Sequence, residues 1–120
     1  MLICGGRYLD SKQVCRWLES KFQTCYPFAT NIIHGGAAGA DEGARMYCRR
    51  NGVPTRCFPA DWKRFGKRAG ILRNRAMLIE GHADVILGFP GGVGTLDMIG
   101  RGRRAKIPIN QIDMEELNSV

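Results

Sequence analysis

The chain predicts an α/β fold: a mostly parallel five-stranded sheet, strand order 3-2-1-4-5, with helices on both faces. Two observations predict it. Short apolar runs alternate with helix-period segments along the chain, as in repeated βαβ units. Three of those runs end in paired glycines. Leu2-Ile3-Cys4 precedes Gly5-Gly6-Arg7, Ile32-Ile33 precedes His34-Gly35-Gly36-Ala37-Ala38-Gly39-Ala40-Asp41, and Val85-Ile86-Leu87 precedes Phe89-Pro90-Gly91-Gly92-Val93-Gly94-Thr95. Right-handed crossovers wind such a chain on both faces of its sheet. The switch point then falls between the first and fourth strands, and the glycine loops share the crevice where open α/β sheets bind ligands.

The first strand is expected at about residues 1–4. The first helix is expected from Ser11 to Lys21, because Val14, Cys15, Leu18 and Phe22 repeat at helical spacing behind Asp10 or Ser11 as cap. A second strand at about 30–34 leads to a helix at about 40–50, which stops at Asn51-Gly52. The third strand, about 53–58, carries Pro54 near its start, as an edge strand tolerates. Residues 59–70 read as a Lys- and Arg-rich loop with Trp62 and Phe65. The third long helix spans about 69–80, with Leu72, Ala76 and Ile79 on one stripe and Arg73 with Met77 on the next. A strand at about 84–89, a helix at about 95–105 and a strand at about 106–110 complete the pattern. Residues 113–117 read as a short helix or a disordered tail.

The 120 residues fit one domain, 1–110, followed by a C-terminal tail, 111–120. No apolar run approaches the roughly 20 residues that span a bilayer. Met1 leads directly into the first strand and leaves no room for a signal peptide, so a cytoplasmic location and no membrane partner are expected. The five cysteines form no C-x-x-C pair, and His34 and His82 lack ligand spacing, so neither a disulfide framework nor a metal site is expected. The net charge of +7 favours anionic partners. Solvated helix faces and helix C-termini are the plainer account of Arg49, Arg50, Arg103 and Arg104.

Glycines between a strand and a helix let the backbone approach a ligand closely. The helix start adds free N–H groups and a positive dipole end, a combination that binds phosphate. The loops are neither a Walker A motif, since no Gly-Lys-Ser/Thr follows them, nor a G-x-G-x-x-G fingerprint. Asp41 and Asp97 fall where first helical turns are expected and serve either as caps or as acceptors for ribose hydroxyls. Thr95 is placed to cap its helix and to donate to a phosphate. Arg73, beside Asn74 near a helix start, opposes the dipole, a cost that an anionic ligand offsets. Trp62 reads as core-edge packing or as an aromatic face for a base.

These residues together resemble a known family. Gly5-Gly6-Arg7, His34-Gly35-Gly36-Ala37-x-Gly39-Ala40-Asp41, Phe58-Pro59-Ala60-Asp61-Trp62, Gly70-x-x-Arg73-Asn74-x-x-Met77 and Phe89-Pro90-Gly91-Gly92-x-Gly94-Thr95-x-Asp97-Met98 are similar to the YspA-like branch of the SLOG superfamily. That superfamily also holds the LOG phosphoribohydrolases and the DNA-processing protein DprA. The resemblance runs from Leu2 to about Ile109. It implies a Rossmann-like fold that binds nucleotides or nucleotide-derived ligands, in bacterial or phage conflict systems. Relatives commonly pair through helices, which implies a homodimer. In LOG enzymes the P-G-G-x-G-T motif continues to a glutamate that helps cleave an N-glycosidic bond, with an arginine upstream. Arg73 fits the arginine position, but Met98 occupies that of the glutamate.

The first expectation is therefore a binding module for a nucleotide-derived small molecule. Its ligand-binding residues are Gly5, Gly6, Arg7, Gly35, Gly36, Ala37, Gly39, Asp41, Arg73, Asn74, Pro90, Gly91, Gly92, Val93, Gly94, Thr95 and Asp97. The second is an N-glycoside or nucleotide hydrolase, with Arg73 stabilising charge and Asp97 or Asp41 as acid/base. Single-stranded nucleic-acid binding is third. Its stacking platforms are limited to Trp62, Phe65 and Phe89 near the basic loops. No cofactor is required on these readings, and Mg2+ is expected only as the companion of a phosphorylated ligand.

Overall fold

The structure, a computed structural model, describes residues 1–27 and 29–120. Five short strands, β1 (Leu2–Cys4), β2 (Ile32–His34), β3 (Thr55–Cys57), β4 (Ile86–Gly88) and β5 (Ile109–Gln111), form one parallel sheet of order β3-β2-β1-β4-β5. Leu2 of β1 lies opposite Ile33 on one side and Ile86 on the other. The expected α/β class and strand order are thus observed. Pro54 precedes an edge strand, and its carbonyl accepts from Ile32 N at 3.0 Å.

Alternation along the strands divides the core in two. Ile3, Ile32 and Leu87 face α1 (Ser11–Cys25), α2 (Ala40–Asn51) and α6 (Met114–Leu117), meeting Val14, Trp17, Leu18, Phe22, Tyr47 and Leu117. Leu2, Ile33 and Ile86 face α4 (Ala69–Gly81) and α5 (Val93–Arg104), meeting Met77, Met98 and Ile99. Trp17 and Phe89 meet in a T-shaped pair at 5.4 Å between ring centroids, closing the first half-core beside the β4 loop. Each fully buried aliphatic or aromatic side chain contributes roughly 1.5–3 kcal/mol.

Several boundaries differ from the periodicity reading. Helix α1 runs on to Cys25, where Tyr26 N bonds back to Phe22 O at 2.7 Å. The basic loop contains a one-turn helix, α3 (Trp62–Phe65), capped by Asp61, and a 3₁₀ turn at Gly66–Arg68. Helix α4 buries Ala69, Asn74 and Met77, whereas Ile79 is exposed. Met77 packs in the second half-core, and the polar Asn74 is satisfied by Gly94 O and Asp97 on α5. Helix α5 begins at Val93 rather than 95, so Gly92 is its N-cap and Thr95 lies inside the helix. Strand β5 lies at Ile109–Gln111, after a turn in which Lys106 adopts φ 58°. Beyond it, Ile112 and Leu117 are buried against the first half-core, with Asp113 capping α6.

Candidate functional site

Three loops meet at the C-terminal ends of β1, β2 and β4, and they bond to one another. Gly6 N donates to Pro90 O at 2.8 Å, and Gly6 O accepts from Ala40 N at 3.2 Å. Gly39, at φ 74° and ψ −116°, presses against the Gly6 carbonyl with no Cβ between them. A cleft of about 340 Å³ opens among these loops and α4. Its floor is apolar (Ile3, Cys4 and Met77), and its walls carry Arg7, Asp41, Arg73 and Asn74. Gly92, Val93, Gly94 and Thr95 bring the first turn of α5 to its rim, with no side-chain hydrogen bond capping that helix.

Of the residues expected from sequence, Gly5, Gly6, Arg7, Ala37, Asp41, Arg73, Asn74, Gly92, Val93, Gly94 and Thr95 line this cleft together. Gly35, Gly36, Gly39, Pro90 and Gly91 shape the loops behind it. Gly91 sits against the Thr95 hydroxyl and Gly6 N, and Gly36 sits against the Cys57 thiol. Asp97 stands apart. Starting α5 at Val93 moves Asp97 into the second turn, where it accepts from Asn74 Nδ2 at 3.0 Å and Arg101 Nε at 2.9 Å. Burial pushes its carboxyl up, but the hydrogen bonds from Asn74 and Arg101 outweigh that and hold it below the usual range. It is an ionised structural partner of α4 and α5.

Arg73 also differs from expectation. It lies beyond the first turn of α4, so the helix dipole does not oppose it. Its guanidinium donates to Gly35 O at 2.8 Å and to Asn74 Oδ1 at 3.1 Å, which fixes it across the cleft wall. Asn74 also donates to Gly94 O at 3.0 Å, tying α4 to the first turn of α5. Asn74→Ala removes these bonds at a buried position. The expected loss is about 1–3 kcal/mol, seen as a Tm lower by on the order of 5–10 °C. An unchanged Tm in thermal melts would show that the bridge does not hold the two helices.

Asp41 occupies the second position of α2 and turns back to accept from Ala37 N at 3.2 Å. It caps its own loop, not its helix. Burial pushes its carboxyl up to about 6, against the opposing pull of the Ala37 N–H and the Arg73 guanidinium. Between the unfolded value near 4 and about 6, the folded state holds the extra proton. Stability therefore falls by roughly 2–3 kcal/mol as pH rises through that window, and stays flat above it as far as Asp41 is concerned. Asp41→Asn is expected to raise Tm at pH 8 and leave it nearly unchanged at pH 4. Equal shifts at both pH values would refute the assignment.

Sequence reasoning missed Tyr8, Ile3, Cys4 and Met77 as cleft residues. Tyr8 is fully solvated beside Arg7, and an exposed aromatic after Gly-Gly-Arg was the available signal. The other three read only as core. The Cys4 thiol is pushed up to about 12 by burial and then by Asp41, so it is neutral floor and not a nucleophile. All five cysteines are free thiols. His34 is buried, and its Nδ1 accepts from Gly36 N at 3.1 Å. Burial, then the charge of Arg45, lowers its pKa and keeps it neutral, so it braces the loop.

The model of the YspA, cpYpsA-related SLOG family matches residues 1–65, which hold the first two glycine loops and Asp61-Trp62. The chain is also 41% identical over 117 residues to the Gene 61 protein of Mycobacterium phage D29, covering 91% of this chain and 92% of that protein. The chain belongs to the YspA, cpYpsA-related SLOG family. No solved structure matches it. Within this SLOG chain, Met98, which the resemblance to LOG enzymes sets at the place of their glutamate, is fully buried in the core cluster of Leu2, Ile33 and Ile86 and does not line the cleft. Among the described residues, no helix is long and apolar enough to cross a membrane. Nor do these residues include a group of three or more His, Cys, Asp or Glu side chains that could hold a metal ion.

Proposed function

We propose that the cleft binds a nucleotide or nucleotide-derived small molecule, with its phosphate on the first turn of α5, and that the protein senses or sequesters this ligand. One observation carries the reading: Gly92 and Gly94 are glycines that the fold does not require. A Cβ on either meets nothing within 4 Å, and neither has a positive φ. Both residues line the cleft, so the missing side chains leave room for a ligand against the backbone N–H groups. Arg7 and Arg73 supply neutralising charge beside that seat, and Asp41 is the acceptor for a ribose hydroxyl. Asp97 acts through Asn74 in this reading. Mg2+ would enter with the phosphate.

A thermal-shift screen against nucleotides, ADP-ribose derivatives and cyclic nucleotides, with each mixture then analysed by mass spectrometry, tests it. Recovery of an intact stabilising ligand is the expected result. A second reading, a nucleotide hydrolase, is favoured by one observation: Asp41 is a cleft carboxyl that burial pushes up to about 6, toward the range of a general acid/base. A ligand recovered as base plus ribose phosphate, with turnover lost in Asp41→Asn, would establish that reading. Pairing of two copies through α4 and α5, whose Ile71, Ile79 and Leu96 are exposed, belongs to the same proposal. Light scattering on the purified protein gives the mass that decides it.

A further inference from the structure

The net charge is concentrated in one segment. Residues 56–75 carry seven of the 18 cations and one of the 11 carboxylates, so six of the seven net positive charges lie in one sixth of the chain. Its centre is α3 and the 3₁₀ turn after it, where Lys63, Arg64, Lys67 and Arg68 are all exposed. None of the four has an ion-pair partner among the described residues. The single carboxylate, Asp61, is committed to the helix cap, where it accepts from Arg64 N at 3.1 Å.

Two aromatic rings stand among these cations. Trp62 is 49% exposed and Phe65 is 41% exposed. Each has a guanidinium over it: Arg7 lies 5.7 Å from the Trp62 centroid, and Arg64 lies 5.0 Å from that of Phe65. Large apolar rings left in water beside unpaired cations fit a polyanion whose units carry flat, stackable faces. Arg7 also lines the cleft, so this surface is continuous with it.

We propose that α3 and the following turn bind single-stranded nucleic acid, with Lys63, Arg64, Lys67 and Arg68 on phosphates and Trp62 and Phe65 stacking on bases. The contact follows the backbone and reads no base edges, so it is expected to tolerate any sequence. It adjoins the cleft at Arg7, but none of these six residues lines the cleft.

The test is fluorescence anisotropy of a labelled 20-nucleotide oligo-dT with the intact protein across a salt series. Affinity is expected to fall linearly on log–log axes with a slope of roughly −0.7 per phosphate contact. Lys63→Glu/Lys67→Glu is expected to weaken binding at least tenfold and flatten the slope, while keeping its response in the nucleotide thermal-shift screen. Trp62→Phe combined with Phe65→Ala is expected to weaken binding with little change of slope, because stacking releases no counterions. Oligo-dT should also quench tryptophan fluorescence through Trp62, since Trp17 is buried, and Trp62→Phe should remove that quenching. Any of three results would overturn the proposal: no binding at 50 mM salt, binding unaffected by the charge reversal, or inorganic polyphosphate of matched charge competing equally with no effect of the aromatic variants. The last would make the surface a general site for acidic polymers, proteins included.

Discussion

Gly94→Val is expected to abolish nucleotide binding in a protein that remains folded. The two halves of that result have separate causes. The fold tolerates the side chain because a Cβ at Gly94 meets nothing within 4 Å and the residue has helical backbone geometry. The Gly94 carbonyl keeps its bond from Asn74, since only the side chain changes. The ligand does not tolerate it, because the isopropyl group fills the space that a phosphate needs to reach the N–H groups of the first turn. Losing two such charge-assisted bonds costs roughly 3 kcal/mol or more, at least a hundredfold in Kd. Gly94→Ala should even stabilise the free protein, by up to about 1 kcal/mol. Isothermal titration with the ligand found by thermal shift, alongside urea melts, separates the effects. Undiminished affinity in Gly94→Val would remove the first turn of α5 from the site.

Gly39→Ala has the opposite profile: it is expected to destroy stability before it affects any ligand. At φ 74° and ψ −116° the backbone lies where an L-residue is strained by roughly 1–3 kcal/mol. The new methyl would also overlap the Gly6 carbonyl and lie 2.8 Å from the Arg7 carbonyl carbon. Both obstacles are backbone, so no rotamer change relieves them. A loss of about 3–5 kcal/mol is expected, enough to lower Tm by well over 10 °C or prevent folding. Gly52→Ala provides the comparison. It also has positive φ, at 66°, but a Cβ there meets nothing within 4 Å, so only about 1 kcal/mol should be lost. Similar urea midpoints for the two variants would mean that the contact between the β1 and β2 loops carries no stability.

The sheet was legible because its signals are local and repeated. Short apolar runs such as Ile32-Ile33 and Val85-Ile86-Leu87, each followed by a helix-period segment, leave little choice but parallel strands with crossovers. The three glycine loops followed from the same reading. What failed was local structure too short or too glycine-rich for periodicity. Helix α3 has four residues and no repeat, and α5 starts with a Val-Gly pair that reads as loop because glycine is a poor helix former. That shift also misplaced Asp97. Its partner Arg101 lies four residues on, a spacing visible in the sequence. The bond from Asn74 to Gly94 spans 20 residues and depends on how α4 leans on α5, which no local pattern encodes.

The mutual hydrogen bonds of the three loops have a kinetic corollary. Gly6 is held by Pro90 and Ala40 through bonds made within the protein itself, so these loops take their shape on folding. A small molecule arriving at such a seat meets a finished surface and has no loop to order. Arrival should then be governed by diffusion and by attraction to Arg7 and Arg73, and should differ little from one anionic candidate to another. Discrimination would lie in residence time: the favoured ligand would be the one that leaves slowly.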